Sequence, residues 1–240
     1  VGDRWRGWAA ITPGRFYYGG QIGTGALHSH HAVQLLIGEG LVLRGADGAE
    51  HEMPAALIPP NTPHAIVRCA ADGLLALLDP ALVGDLRRRA ATDSAASWIL
   101  DRPSIAHRDL PALAALADEL AGSTSRAGHP ALLRAAQVIE RTLPGPVRLA
   151  TVADAVHLSQ SRLAHVFREE SGLPFRPYVL WARLRLALTA LSHGASLTDA
   201  AYAAGFADAP HLTRTVRRMM GDAPSVLAAG VRWVSLEPAG

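Results

Sequence analysis

Two sets of side chains in this 240-residue chain have types and spacings that can do chemistry. The first is built on histidine. His28 and His30 are separated by one residue within Gly25–Gln34, and His64 closes the stretch Pro59-Pro-Asn-Thr-Pro-His64. Alternate side chains of a strand share a face, so His28 and His30 point the same way and can converge with His64 across a barrel. Imidazoles suit Zn, Fe, Cu or Ni, whereas the amide of Gln34 is a weak ligand. The same four residues, His28, His30, Gln34 and His64, can equally line a small-molecule pocket or pack and hydrogen-bond. His31 falls on the other face and reads as structural, and His51 reads as surface.

The second set is polar and cationic. Gln160, Ser161, His165 and Arg168 share one helix face, and His211, Arg214, Arg217 and Arg218 share another. A helix fits the major groove of DNA, where each base pair shows its own donor and acceptor pattern and Arg is the natural reader of guanine. His165, His211 and Arg214, assisted by Ser161 and Gln160, are the expected base readers. Arg168, Arg217 and Arg218 are better placed for phosphates, which set affinity without conveying sequence. The plain alternative is that these arginines only solvate helix faces.

Each set needs elements to hold it. For the second set, Val152, Ala155 and Val156 give a short helix its apolar face, Ser159 is placed to cap the next helix, and Leu163, Val166 and Phe167 face inward. Gly172 ends that helix as a C′ residue does. The plan then repeats. Leu197–Phe206 is a short helix leading into a Gly turn, Asp208 caps the following helix, and Pro210 is tolerated in its first turn. Leu212, Val216 and Met219 form its inward stripe and Gly221 stops it. Between the two units, Pro177–Ser192 reads as one amphipathic helix carrying Arg183 and Arg185. Two recognition helices so joined can enter successive major-groove segments about 34 Å apart.

The histidine set sits in residues 1 to about 80, where short apolar runs such as Phe16–Tyr18, Ala32–Ile37 and Leu74–Leu78 alternate with Gly, Pro, Asn and Asp, the pattern of a sandwich or barrel. Trp5, Trp8, Phe16 and Tyr18 either cover a pocket there or pack its core. From Pro80, Leu82, Leu86, Leu110, Leu113, Leu116 and Leu120 recur at helical spacing, and their stripe buries against either a second subunit or its own barrel. Gly122–Gly128 reads as a linker. The expected boundaries are 1–80 for the barrel, 81–126 for the connector and 127–240 for the helical domain.

The paired units resemble the DNA-binding domain of the AraC/XylS family of bacterial transcription regulators over residues 129–232. The likeness is carried by Leu158-Ser159, Leu163, Phe167, Gly172, Pro177-Tyr178, Arg183-Leu184 and Ala187, then by Ala200, Ala203, Gly205-Phe206, His211-Leu212, Arg214, Gly221 and Pro224-Ser225. Leu212 and Val216 stand where the family usually has aromatics, and Pro210 is unusual. The histidine motifs resemble those of the cupin barrel, with Gln34 in place of a carboxylate. The resemblance implies an α+β chain of two domains: an N-terminal cupin-like β-barrel, a helical connector, and a C-terminal all-α domain with two helix-turn-helix units. It implies a sequence-specific regulator of transcription controlled by a small-molecule effector, and not an enzyme. Its expected partners are promoter DNA, the effector, a second copy in a homodimer and RNA polymerase. No cofactor is required by this reading. The alternative is a metal-binding cupin sensor or cupin enzyme holding a divalent transition metal on His28, His30 and His64.

Composition fits either. Hydrophobic residues make up 49% of the chain and charged residues 18%, which excludes wholesale disorder. Every one of the 23 cations is Arg, and the formal charge is only +2. That small figure hides a partition: residues 1–126 hold 11 Arg against 13 acids, and residues 127–240 hold 12 against 8. A single cysteine, Cys69, excludes an intramolecular disulfide framework and reads as buried filler. The triplet Arg87-Arg88-Arg89 reads as a solvated face. Apolar runs are too short for a membrane span, and Val1–Arg6 lacks the apolar stretch of a signal peptide, so a cytoplasmic protein without membrane contact is expected.

Overall fold

A computed structural model describes residues 5–68, 71–83, 94–100, 109–122, 129–225 and 230–235. Cys69, Leu86, Arg87-Arg88-Arg89 and 123–128 of the linker lie outside the described residues.

Eight strands form one sheet: β1 Arg6–Thr12, β2 Arg15–Gln21, β3 Gly25–His28, β4 Val33–Gly45, β5 Glu50–Ile58, β6 His64–Arg68, β7 Gly73–Leu78 and β8 Val231–Trp233. Their order is β3-β6-β4-β7-β2-β1-β8, with β5 also on β4. The 13-residue β4 makes the sheet curl. Its register shifts between Ile37 and Leu41, where Gly40 has φ 70°. The half before the shift pairs with β7 and the half after it with β6, while β5 follows both. A bulge of this kind bends a strand and raises its twist, and so brings β3 and β6, which carry His28 and His64, against the face that holds His30.

The helices are α1 Leu110–Gly122, α2 Pro130–Thr142, α3 Leu149–Ala155, α4 Gln160–Val166, α5 Phe175–Ser192, α6 Leu197–Ala203 and α7 Ala209–Met220, with a π turn at Phe167–Ser171 and a 3₁₀ turn at Ala95–Trp98. Their ends follow local chemistry. The Ser159 hydroxyl accepts from the Arg162 N–H, and the Asp208 carboxylate accepts from the His211 N–H at 2.6 Å. Gly172 closes the helical segment that runs from α4 through the π turn, and Gly221 closes α7, at φ 72° and 79°. Leu163, Val166, Phe167, Leu212, Val216 and Met219 are all buried, while Ala155 is exposed and Ala153 takes its inward place.

Three features of the fold matter for function, the first two departing from the sequence reading and the third resolving an alternative it left open. Val231–Trp233, within the stretch read as helical domain, returns to the sheet and pairs in parallel with β1. Three residues are too few to show a strand period, and their partner lies near the other end of the chain. Second, α5 is not amphipathic. Tyr178, Val179 and Ala182 are buried against the first helix-turn-helix unit, while Trp181, Leu184 and Ala187 are buried in a core shared by the second unit and the sheet. A helix apolar on two sides is an internal rod rather than a surface element. Third, the stripe Leu110, Leu113 and Leu116 of α1 is buried on its own sheet, beside Tyr17, Leu35 and Leu74. That surface is therefore already covered. Among the described residues no helix is long and apolar enough to cross a membrane.

Candidate functional site

The curled sheet and the helical domain border a partly open cavity of about 420 Å³ between them. The sheet contributes Trp5, Ala9, Phe16, Tyr18, Leu75 and Trp233; α5 contributes Leu188 and Leu191, and α7 contributes Val216 and Met220. Trp5 meets Tyr18 edge to face with centroids 5.1 Å apart, and Phe16 meets Trp233 at 6.2 Å. Trp8, for which pocket cover and core packing are the two alternatives, packs in the core on the opposite side of the sheet. It alternates with Ala9 along β1, so only one of the two can face the cavity.

One end of the cavity is polar. His28, His30 and Gln34 line it, and His64 stands against both imidazoles with centroid separations of 4.4 and 4.9 Å. The structure thus brings together all four expected residues. His30, Gln34 and His64 are buried and His28 is half-buried. Each imidazole is anchored in the same way: the Nδ1–H of His28 donates to the Ala26 carbonyl at 2.7 Å, that of His30 to Ala32 at 3.0 Å, and that of His64 to Thr62 at 2.9 Å. A carbonyl can only accept, so these contacts fix the Nδ1–H tautomer in a neutral ring and leave Nε2 as a bare lone pair. The amide oxygen of Gln34 is placed on Nε2 of His30; with the proton on Nδ1 the complementary end is the amide N–H, which exchanging the amide O and N supplies. Nε2 of His64 is buried with no partner. One ring nitrogen from each of the three lies within 4.8 Å of the others.

Electrostatics agree with neutral rings. Burial, followed by the nearness of His28, pushes His30 down to about 4, and burial followed by its two neighbours lowers His64 well below the ordinary range. Burial also lowers His28, with Asp222 pulling the other way. The sign for stability follows. Unfolded imidazoles take up protons as pH falls below 6.5, while the buried ones do not, so stability is complete above about 6.5 and is lost down to about 4. His30 alone is expected to contribute on the order of 3 kcal/mol to that loss. Chemical denaturation across this range checks it; a flat profile would contradict the buried neutral triad.

Outside this cluster, the Nδ1 of His31 lies 2.5 Å from Asn61 Oδ1, and His51 on β5 is half-buried rather than at the surface. Burial lowers His31, its hydrogen bond to Asn61 opposes this, and the charge of Arg218 lowers it further.

The second set of residues lies on α4, the π turn and α7. Gln160, Ser161, His165, Arg168, Arg214, Arg217 and Arg218 are exposed. His211 is half-buried, with its ring edge on Phe206 at 5.2 Å. Arg162, which the spacing argument passes over, is also exposed on α4. The two sites meet at α7: Arg214 and Arg217 project outward, while Val216 and Met220 enter the cavity. At the end of α7 a Cβ on Gly221 would stand 3.1 Å from His28 Nδ1 and 3.2 Å from the Ala26 oxygen. The helix therefore terminates against the hydrogen bond that orients His28.

A further junction escapes sequence reading. Asp79, directly after β7, is buried and caps the Ala81 N–H at 2.8 Å. It also accepts from the Tyr178 hydroxyl at 3.2 Å and pairs with Arg185 at 3.0 Å, while Arg185 reaches Glu140 at 3.0 Å. Sheet, α2 and α5 are joined in one buried polar knot.

Comparison with known proteins places these elements. The helix-turn-helix domain family matches residues 152–229. The chain is 30% identical over 100 residues to the HTH-type transcriptional regulator GlxA of Rhizobium meliloti (strain 1021), a match covering 41% of this chain and 31% of that relative. The chain thus spans about a third of the curated relative's length. Among solved structures, an apo variant of ToxT from Vibrio cholerae strain SCE256 superposes with a TM-score of 0.57 at 11% identity, covering 90% of this chain and 97% of that one. Wild-type ToxT bound to an unsaturated fatty acid gives 0.56 at 11% identity, covering 93% and 98%. At such identity the likeness is one of fold: a sheet-rich N-terminal domain followed by a helical domain.

Proposed function

On the premise that residues 152–229 are an AraC-type helix-turn-helix domain of a transcription regulator, we propose that the chain is a one-component switch. In this reading α4 and α7 bind a promoter through successive major-groove segments, and a small apolar molecule in the cavity sets that affinity. The observation that carries the proposal is the shared helix: Val216 and Met220 wall the cavity on the element that presents Arg214 and Arg217. A ligand shifts an equilibrium only by its differential affinity for the two states. Here any displacement of α7 changes the ligand's own contacts, so differential affinity is built into the site. The fatty-acid complex of ToxT supports a ligand with an extended apolar part in this fold; the carboxyl head of that ligand is a feature of ToxT's effector alone.

Pairing of subunits, contact with RNA polymerase and a cytoplasmic location belong to the same proposal. With the α1 stripe buried on its own sheet, pairing uses another face. The competing occupant of the polar end is a divalent metal on His28, His30 and His64. The three Nδ1 anchors support it, since metal-bound histidines are commonly oriented in this way. Against it, Gln34 has to leave His30 Nε2, and among the described residues no carboxylate joins the three imidazoles as a ligand, Asp222 acting on His28 only through its charge. Metal analysis of the purified chain distinguishes the two: stoichiometric metal, lost in His28→Ala and His64→Ala, replaces the apolar effector by a metal.

The experiment that tests the reading starts from DNA selected from a genomic library by the full chain. Arg214→Ala is expected to weaken binding to the selected site by about 1–3 kcal/mol and to relax preference at one base pair. Uniform loss over all sequences would move Arg214 to the phosphate class. Arg217→Ala is expected to lower the salt slope by about one instead.

A further inference from the structure

We infer that the effector is an uncharged, mainly apolar hydroxyl compound of the phenol class, whose O–H docks on the imidazole end of the cavity. This rests on the reading of the cavity as the effector site and narrows it to a chemical class.

The first support is what the wall lacks. No Arg lines the cavity among the described residues, and the chain contains no Lys. A carboxylate entering it would lose its water and meet no cation, a cost far larger than that of burying a neutral polar group. No Asp or Glu lines it among the described residues either, so an ammonium finds no carboxylate in the wall, the acid whose charge reaches this end being Asp222 beside His28.

The second support is the polarity of the one polar end. Because Ala26, Ala32 and Thr62 take the three Nδ1 protons, the neutral rings present acceptors to one another and no donor. Gln34 attends to His30 only, and the Nε2 of His64, which stands behind the lining His28 and His30 with ring nitrogens within 4.8 Å of one another, is buried without a partner among the described residues. A buried acceptor in that state costs about 1–3 kcal/mol, so the group missing from the site is a hydrogen-bond donor. A ligand hydroxyl supplies it, whereas a carboxylate, a ketone or an ether does not.

The third support is the remaining wall. Trp5, Phe16, Tyr18 and Trp233 offer ring faces and edges to a planar ligand. The Tyr18 hydroxyl is already spent on the Gln21 carbonyl at 2.5 Å. The Trp5 indole N–H is buried without a partner among the described residues and is a donor suited to an oxygen lone pair; the Ser225 hydroxyl and the Trp233 indole also belong to the wall. The volume of about 420 Å³ lies within the range of about 300–1,000 Å³ usual for small-molecule sites.

The test needs no variant. Calorimetric titration of the full chain near neutral pH compares 4-butylphenol, its methyl ether 4-butylanisole, butylbenzene and 4-butylbenzoate, with zinc alone as a fifth arm. The phenol is expected to bind about tenfold more tightly than the ether or the hydrocarbon, the worth of one buried hydrogen bond, and the benzoate is expected to bind weakest. In His64→Leu the advantage of the phenol is expected to vanish while butylbenzene still binds, which reports an intact cavity. Phenol binding no better than ether or hydrocarbon, or benzoate matching the phenol, overturns this inference and leaves the cavity as an effector site. Stoichiometric zinc that blocks the phenol overturns it in favour of a metal. Failure of all the organic probes overturns the effector-site reading together with the inference.

Discussion

Asp79→Ala is expected to cost the fold about 3–5 kcal/mol, the usual consequence of stranding one member of a buried ion pair. Asp79 is 2% exposed and the side chain of Arg185 only 11%, so water cannot stand in for the lost carboxylate. Burial opposes the charge on Arg185, yet Asp79, Tyr178 and Glu140 together hold its pKa above the ordinary arginine value. With Asp79 gone, the Tyr178 hydroxyl also loses its acceptor, and the half-exposed Glu140 is left as the counter-charge. Denaturant unfolding of the variant checks the magnitude, and a loss below about 1 kcal/mol would show that the knot is well hydrated. The triple replacement Asp79→Leu, Tyr178→Phe, Arg185→Met is expected to recover much of the stability, because apolar groups of similar volume commonly match or exceed a buried pair. Its interest is functional: the knot ties the end of β7 to the rod between the two DNA-reading units. The triple variant is accordingly expected to bind DNA while responding less to a cavity ligand.

Inserting five base pairs between the two halves of the selected DNA site is expected to lower affinity by about two orders of magnitude or more. The helix α5 has 18 residues, about 27 Å of rod, and it buries one face in each unit. The two recognition helices therefore cannot follow a segment that half a turn of DNA has carried to the opposite face. Specific sites commonly exceed nonspecific DNA by about 10³–10⁷, and loss of one of two reading units forfeits a large share of that ratio. A full-turn insertion restores the face but adds about 34 Å of separation, so it is expected not to rescue binding. Unchanged affinity after the half-turn insertion would mean that a single unit does the reading.

What sequence made legible here was local. Ser159 and Asp208 cap because a side-chain oxygen three residues before an unpaired N–H needs no distant partner, and Gly172 and Gly221 stop helices for an equally local reason. The spacing of His28 and His30 foretold that they meet, although β3 ends at His28 and it is the stretch after it, not strand alternation, that places His30, and a motif likeness added His64. What stayed hidden was paired over long distances. Asp79 and Arg185 are 106 positions apart, β8 answers to β1, and nothing near Met220 marks it as cavity wall rather than helix core. The tautomers were equally out of reach. They depend on which carbonyls the backbone turns toward each ring, and those carbonyls determine whether the site asks for a metal, an acceptor or a donor.

The central claim is that two recognition helices read DNA while a ligand between sheet and α7 sets how the second one sits. Hydroxyl-radical footprinting of the full chain on its selected site, with and without saturating 4-butylphenol, tests it most directly. Two protected tracts one helical turn apart on one face are predicted, with the ligand changing protection in the tract read by α7. A single tract, or two tracts that no cavity ligand alters, would contradict it.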